Sequence, residues 1–260
     1  MADFQDVGFM KKVLYDFGSN NGDDLPYYLL KADLVVAIEA NPLLCDQIKD
    51  RFQKEISEER LVVENCILNV GHSTKPLPFY IHKSNHVLSQ FPQPAPSIID
   101  HFEEVYLPAK NVIDILECYG TPYYIKIDIE HYDNIILREL FLHRIYPPYI
   151  SAESHSIDVF CTFVALGGYK AFKLVDGVTV STKYKDHPIE TDHGSEIYSF
   201  PFHSAGPFGN DIKGDWMTKD NFFRLLSFAG LGWRDIHVSN IDHPNPAYAP
   251  SPQFQLTINY

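Results

Sequence analysis

Short apolar runs alternate with segments of helical pattern over the first two thirds of the chain. Residues 12–17 form a mostly apolar run that ends in a loop of Gly and Asn, and residues 34–38 are apolar throughout. A run that is apolar at every position is typical of a strand covered on both faces. Strands that alternate with helices predict a doubly wound α/β fold, with a mostly parallel sheet between two layers of helices. Further strands are predicted at 61–63, 79–81, 123–128 and 149–153, and helices at 24–31, 41–54, 112–119, 134–141 and 158–166.

The last third of the chain has a different pattern. Residues 169–175 and 196–202 predict an antiparallel hairpin that closes one edge of the sheet. After a loop rich in Gly and Pro, we expect a helix at 219–229 and short strands at 234–238 and 253–258.

Composition and charge narrow the class of protein. Hydrophobic residues make up 45% and charged residues 21% of the chain, which is ordinary for a globular protein, and no apolar run is long enough for a membrane helix. The first residues lack the basic start and apolar stretch of a secretory signal, so we expect a cytoplasmic protein with no membrane partner. The formal net charge of −13 argues against nucleic acid and favours a neutral or sugar-like small molecule. The oligomeric state is not indicated.

The cysteines indicate a reducing compartment. Cys45, Cys66, Cys118 and Cys161 form no C-x-x-C pair, and no histidine lies at zinc-site spacing from two of them. We therefore expect reduced, mostly buried thiols rather than disulfides or a structural metal.

The loop after the first strand is the first candidate binding element. Gly18 and Gly22 permit unusual backbone angles and close approach of a ligand, with Asn20 between them. Asp16, at the strand end, is placed to hold the loop or to receive the cationic end of a ligand. The spacing differs from the G-x-G-x-x-G pattern of dinucleotide sites, and the two acidic residues after Gly22 oppose a pyrophosphate but suit a sulfonium and an amino-acid cation. An ordinary glycine-rich turn is the alternative interpretation.

Two further strand ends carry polar residues where parallel sheets bind ligands. Glu39 ends the second strand, 23 residues after Asp16, and its carboxylate can accept hydrogen bonds from a ribose diol. Its alternative role is that of a helix-capping charge. Asn65 and Cys66 follow the third strand, where an adenine edge is expected, although Asn is common at strand ends for turn reasons alone.

These segments resemble the FkbM-type family of class I S-adenosylmethionine-dependent methyltransferases. The resemblance spans residues 12–177 and is carried by three segments in order, 15–22, 37–42 and 124–130. It implies a Rossmann-like fold and S-adenosyl-L-methionine as cofactor, with the first segment around the amino-acid part and the second on the ribose. The third is a Lys-Ile-Asp-x-Glu strand end, in which Asp128 is expected at the cofactor.

One position departs from the family pattern, because His131 stands where the family usually has glycine. We expect a single methyltransferase domain over 1–260. In it, residues 12–202 form the cofactor-binding core, and residues 203–260 add an elaboration.

The acceptor is expected past the fourth and fifth strands. Asp128 and Glu130 lie two residues apart, as do Glu153 and His155, so neighbouring strands would bring all four to one crevice. Asp128 and Glu153 are candidates for substrate contact and His155 is the preferred general base, with His131 as the alternate. The other possibility is that these groups only bond loop backbone. Residues 84–97, rich in Pro, Gln and Ser, are predicted to be an exposed loop, and 82–86 are a candidate cover for the acceptor.

The predicted reaction is methylation of a hydroxyl on a sugar or natural-product molecule, with N-methylation left open. A nicotinamide-dependent oxidoreductase and a non-catalytic binding protein are the alternatives. Carboxylates at strand ends also suit Mg²⁺ and a substrate diol, as in catechol-type methyltransferases, which this layout resembles. The FkbM resemblance does not require a metal, so we assign no metal ligand from the sequence.

Overall fold

The computed structural model of the protein describes residues 11–247. The strands in this range are β1 (Val13–Phe17), β2 (Leu34–Glu39), β3 (Leu61–Asn65), β4 (Ile67–Asn69), β5 (Leu77–His82), β6 (Phe102–Leu107), β7 (Ala109–Asn111), β8 (Pro122–Ile127), β9 (Tyr149–Ser154), β10 (Ala171–Asp176), β11 (His187–Thr191), β12 (Gly194–Tyr198) and β13 (Gly232–Ser239). The helices are α1 (Leu25–Lys31), α2 (Pro42–Arg51), α3 (Gln53–Ser57), α4 (Val112–Tyr119), α5 (Asp133–Leu142), α6 (Ile157–Ala165), α7 (Val180–Lys183) and α8 (Lys219–Ala229).

A central sheet of seven strands organises the molecule, in the order β10-β13-β9-β8-β1-β2-β3. The pairs from β3 to β9 are parallel, and β13 runs antiparallel to both of its neighbours. The doubly wound, mostly parallel α/β fold is therefore confirmed. The strand order reverses between β1 and β8, and in such sheets ligands bind at the carboxyl ends of the strands beside that reversal.

The predicted antiparallel edge of the sheet is present, but the strand predicted to pair with β10 was wrong. β10 pairs with β13, Ala171 lying opposite Ser239, whereas β12 pairs with β11 in a separate two-stranded sheet. The reason lies in burial, because β10 is almost wholly buried and needs a buried partner, whereas β12 is exposed over most of its length. The strand predicted at 253–258 lies outside the described residues.

Alternate residues of the parallel strands enter two cores on opposite faces of the sheet. Tyr15 and Phe17 of β1 face α4, α5, α6 and α8, while Leu14 faces α1, α2 and the tail segment 200–216. From that tail, Phe208 stacks on Tyr124 of β8 with ring centroids 4.1 Å apart. The tail therefore covers one face of the sheet and helps to fix β8, which leads into the site.

Other differences from the predicted elements are smaller. The helix expected at 41–54 is divided at Phe52 into α2 and α3. Two short sheets, β4 with β7 and β5 with β6, were not predicted as pairs. All four cysteines are free; Cys45 and Cys66 are buried, but Cys118 and Cys161 are exposed, so the expectation of mostly buried thiols holds for half of them. Within residues 11–247, the helices are all too short or too polar to cross a membrane.

Candidate functional site

A cavity of about 330 Å³ opens at the carboxyl ends of the parallel strands, beside the reversal of strand order. One end is bordered by Gly18, Glu39 and Cys66, and the other by Glu130 and His155. The connection between β5 and β6 forms a cover over the middle of the cavity. The sheet therefore supplies the floor, and an inserted segment supplies the roof.

The loop after β1 is pressed against the end of β8. Gly18 has φ +85°, and a Cβ atom placed there would lie 1.8 Å from the carbonyl oxygen of Asp128. Only glycine fits this position, since the backbone conformation and the space both exclude a side chain. Gly22, with φ +77°, faces Ile48 and Leu25 rather than the cavity, so it serves the turn into α1.

Glu39 is the best-positioned polar group at the cofactor end. One carboxylate oxygen accepts from the backbone N–H of Asn20 and the other from that of Asn41, both at 2.8 Å. Burial raises the pKa of Glu39 to about 7, against the effect of these two hydrogen bonds. Each oxygen keeps further lone pairs, so the carboxylate is fixed in orientation and still able to accept from a ligand diol.

Beyond Glu39, the end of β3 forms an apolar slot. Cys66 borders it together with Leu44, Ile67 and Leu68. Asn65 does not line the cavity, because its amide donates to the carbonyl oxygens of Glu39 and Ala40 at 3.0 and 2.8 Å. Asn65 therefore holds the β2 turn, and the slot is suited to a flat, weakly polar group.

Lys126 ties the β1 loop to β8 from behind the cavity. Its ammonium donates to the carbonyl oxygen of Gly18 at 3.0 Å and lies 3.5 Å from a carboxylate oxygen of Asp16 and 3.3 Å from one of Asp128. Burial disfavours the ammonium charge, but the carboxylates of Asp128 and Asp16 outweigh it and hold the pKa of Lys126 well above its ordinary value. Asp16 thus supports the loop from the interior and does not reach the cavity.

The acceptor end of the cavity is strongly acidic. Glu130, Glu153 and Asp128 all line it, and a ring nitrogen of His155, Nε2, lies 2.9 Å from Glu153 Oε2 and 3.7 Å from Glu130 Oε2. Burial, reinforced by the charge of Asp128, raises the pKa values of both Glu130 and Glu153 to about 8. His131 lies outside the cavity, and its ring packs on that of His155 with centroids 4.6 Å apart.

A left-handed turn points Glu130 into this end. Glu130 and His131 have φ values of +45° and +68°, which residues with side chains adopt only rarely. Both residues therefore keep a side chain in a backbone conformation that favours glycine.

The structure thus separates the predicted site residues into two groups. Those that line the cavity are Gly18, Asn20, Glu39, Cys66, Asp128, Glu153 and His155. Those that lie behind or beside it are Asp16, Gly22, Asn65 and His131.

The acidic residues after Gly22 also face elsewhere. Asp23 pairs with Arg51 at 3.1 Å, and Asp24 accepts from the backbone N–H of Ala205 at 3.0 Å. The attraction for a cation predicted from them therefore has to come from the carboxylates that do line the cavity.

Sequence reasoning missed much of the roof and one wall. Of the predicted cover 82–86, only His86 lines the cavity, and Val87, Leu88 and Phe91 line it from the rest of the segment predicted as an exposed loop. His203 comes from the tail segment 200–216, and Trp233 comes from β13. Apolar residues inside a Pro- and Ser-rich segment were the available signal for the roof. No local pattern marks these last two residues, because only the fold brings them to the cavity.

Solved structures with similarity to this chain include three methyltransferases. The methyltransferase FkbM from Methylobacillus flagellatus KT is 15% identical, covering 64% of this chain and 40% of that one, with a TM-score of 0.42. The precorrin-6y C5,15-methyltransferase from Geobacter metallireducens GS-15 is 13% identical over 65% and 69% of the two chains, with a TM-score of 0.34. A SAM-dependent methyltransferase from Aquifex aeolicus is 13% identical over 65% and 78%, with a TM-score of 0.33.

The matched region thus spans less than half the length of the FkbM structure. No family model matches the chain, and no curated protein does. At these identities and TM-scores, the similarity identifies neither the family nor the activity of the protein.

Proposed function

We propose that the protein is an S-adenosylmethionine-dependent methyltransferase that methylates a hydroxyl group on a sugar or natural-product small molecule. The observation that carries the proposal is the Glu39 carboxylate, held by two backbone N–H groups between an apolar slot and an acidic chamber. S-adenosylmethionine has a ribose diol, a flat base and a cationic sulfonium in the same order.

The cofactor would lie across the ends of β1, β2 and β3. Its ribose hydroxyls would donate to Glu39, its adenine would enter the slot beside Cys66 and Leu68, and its amino-acid part would reach the loop at Gly18 and Asn20. Each group then meets a surface of matching polarity, because the slot is apolar and the loop offers the side-chain oxygen Oδ1 of Asn20, which is buried without a hydrogen-bond partner in residues 11–247.

The charge of the cavity favours this cofactor over a nicotinamide dinucleotide. The described residues that line the cavity include no Lys or Arg. They do include four carboxylates, those of Glu39, Asp128, Glu130 and Glu153. A pyrophosphate would bring negative charge into this acidic chamber without a cation to meet it, whereas a sulfonium would be attracted. The carboxylates that line the cavity therefore support S-adenosylmethionine over a nicotinamide dinucleotide more strongly than the acidic residues after Gly22 do.

The reaction is an in-line displacement. The acceptor oxygen forms a bond to the methyl carbon as the bond from that carbon to sulfur breaks, and sulfur keeps the electron pair and becomes a neutral thioether. The hydroxyl proton passes to His155, which lines the cavity, and then to solvent, whereas His131 packs on the His155 ring from outside the cavity. Asp128 and Glu153 orient the acceptor, so most of the rate enhancement would come from alignment.

Calorimetry with S-adenosylhomocysteine tests the cofactor assignment. We expect the folded protein to bind it with one site and to show no response to NADH. Replacing Glu39 by Ala removes charge-assisted hydrogen bonds worth about 1.5–3 kcal/mol each, so affinity should fall at least about tenfold. Glu64→Gln is the matched control, since Glu64 pairs with Lys110 at 2.7 Å outside the cavity. Absence of binding, or equal affinity in Glu39→Ala, would contradict the assignment.

A further inference from the structure

The geometry points to a binding site for a divalent first-row transition-metal ion, formed by Glu130, Glu153 and His155 at the acidic end of the cavity. The existence of the site does not depend on the proposed methyl transfer. Only the role given to the ion rests on it.

The three side chains offer ligand atoms at the spacing that an ion requires. One ligand atom from each residue lies within 4.8 Å of the others. His155 Nε2 is 2.9 Å from Glu153 Oε2 and 3.7 Å from Glu130 Oε2. With metal–ligand bonds of about 2.0–2.2 Å, neighbouring ligand atoms stand roughly 3.0–3.5 Å apart. The two distances from His155 Nε2 therefore lie within a few tenths of an ångström of the range that a bound ion requires.

Buried polar atoms at this end lack partners among the described residues. His155 Nε2 is buried and makes no hydrogen bond, although Glu153 is near, because the carboxylate does not lie in the N–H direction. Asp133, only 2% exposed, has both carboxylate oxygens buried without a hydrogen-bond partner, and the charges of Asp128, Glu153 and His155 act on it. Buried groups of this kind are costly unless a counter-charge or ligand meets them.

The described part of the chain supplies too little positive charge here. Among the lysines and arginines in its ion pairs, only Lys126 reaches this group, through Asp128, and it is shared with Asp16. The ion-pair partner of Glu130 and Glu153 is His155, one of the proposed ligands. No Lys or Arg pairs with Glu130, Glu153 or Asp133 in residues 11–247. A divalent cation would balance the carboxylates that the protein leaves unbalanced.

The chemistry of the ligands selects the kind of ion. Imidazole suits Zn²⁺, Fe²⁺, Co²⁺ and Ni²⁺, and carboxylates also suit Mn²⁺, whereas Mg²⁺ prefers oxygen and water alone. Three protein ligands leave an open position toward the cavity, where an acceptor hydroxyl would bind. An ion-bound hydroxyl loses its proton more readily, so His155 would then hold the ion, and the proton would pass to solvent water.

Titration of the untagged full chain, stripped with chelator and desalted, tests the site without cofactor or acceptor. Mn²⁺ is followed by electron paramagnetic resonance and Zn²⁺ by calorimetry. We expect one ion to bind per chain, and Mg²⁺ to bind at least about tenfold more weakly than Mn²⁺. In both Glu130→Gln and His155→Ala, the affinity for Mn²⁺ should fall at least about tenfold. The matched control is His143→Ala, which removes an exposed histidine 3.5 Å from Glu139 on α5.

The outcomes separate this inference from the proposed function. The site is overturned if neither ion binds. It is also overturned if the folded Glu130→Gln and His155→Ala proteins bind Mn²⁺ with the same affinity as the unsubstituted protein. If S-adenosylhomocysteine binds and no ion does, the metal site is refuted and the proposed methyltransferase function stands. If an ion binds and S-adenosylhomocysteine does not, the metal site stands and the proposed function is refuted. Circular dichroism of each variant shows that the compared proteins are folded.

Discussion

Replacing Lys126 by Met should destabilise the protein strongly and loosen the β1 loop. The ammonium is 4% exposed and lies 3.5 Å from Asp16 and 3.3 Å from Asp128. At an effective dielectric constant of about 20, each contact is worth about 5 kcal/mol before the cost of burying the charges. Since that cost offsets much of the attraction, removal of one partner from a buried pair typically costs about 3–5 kcal/mol, which we expect here.

Urea unfolding measures the free energy, and a second variant tests the cause. Adding Asp16→Asn to Lys126→Met removes the carboxylate left buried, so we expect at least about half of the lost stability to return. Lys110→Met is the control; this lysine is half-exposed in its pair with Glu64 and should cost less than about 1 kcal/mol. A loss below about 1 kcal/mol in Lys126→Met, or no recovery in the double variant, would refute the reasoning.

Three further predictions follow from the site. In Gly18→Ala, the added methyl group meets the carbonyl oxygen of Asp128, and the backbone has an unfavourable φ. Thermal unfolding should therefore show a larger loss of stability than in Gly168→Ala, where φ is +66°, no atom lies within 4 Å, and we expect a loss of about 1–2 kcal/mol. Equal losses in the two variants would contradict the close approach. Because burial raises the pKa of Glu39 to about 7, its carboxylate binds a proton in the folded protein between about pH 4.5 and 7 but not in the unfolded chain. This contribution to stability is therefore lost progressively as the pH rises from about 4.5 to 7, and the affinity for S-adenosylhomocysteine, measured by calorimetry, should rise over the same range. A flat affinity profile would count against the ribose contact. His155→Ala should lower kcat about 10²–10⁴-fold with S-adenosylhomocysteine affinity unchanged, and equal kcat would remove His155 from the reaction.

The sequence predicts the parallel part of the sheet well, because apolar runs and strands coincide when both faces are covered. β2 and β8 lie within one or two residues of their predicted positions. The partner of β10 was not predictable from local pattern, since β13 follows it by more than fifty residues. Pairing across that distance depends on which segment can bury both faces, and this is a property of the whole fold.

The ends of the predicted strands indicate where the cavity lies, but they do not indicate which side chains face it. Gly18 and Asp128 follow their strands directly, and Glu39 is the last residue of β2, so all three reach the cavity. Asp16 lies one residue before the end of β1 and is turned into the interior toward Lys126. Whether a polar residue near a strand end faces the ligand or the interior depends on strand length and pleat to within one residue, which apolar periodicity does not resolve.

The position of β13 has a consequence for how the protein is made. Asp235 of β13 lies opposite Glu153 of β9, so one wall of the acidic chamber borders a strand that leaves the ribosome late. Until then β9 has a free edge and β10 has no partner, and unpaired edges of buried strands are prone to join other chains. A chain cut before residue 232 would therefore carry the elements of the cofactor end and still be prone to aggregate, so the wall of the acidic chamber and the pairing of β9 and β10 are completed by the same step.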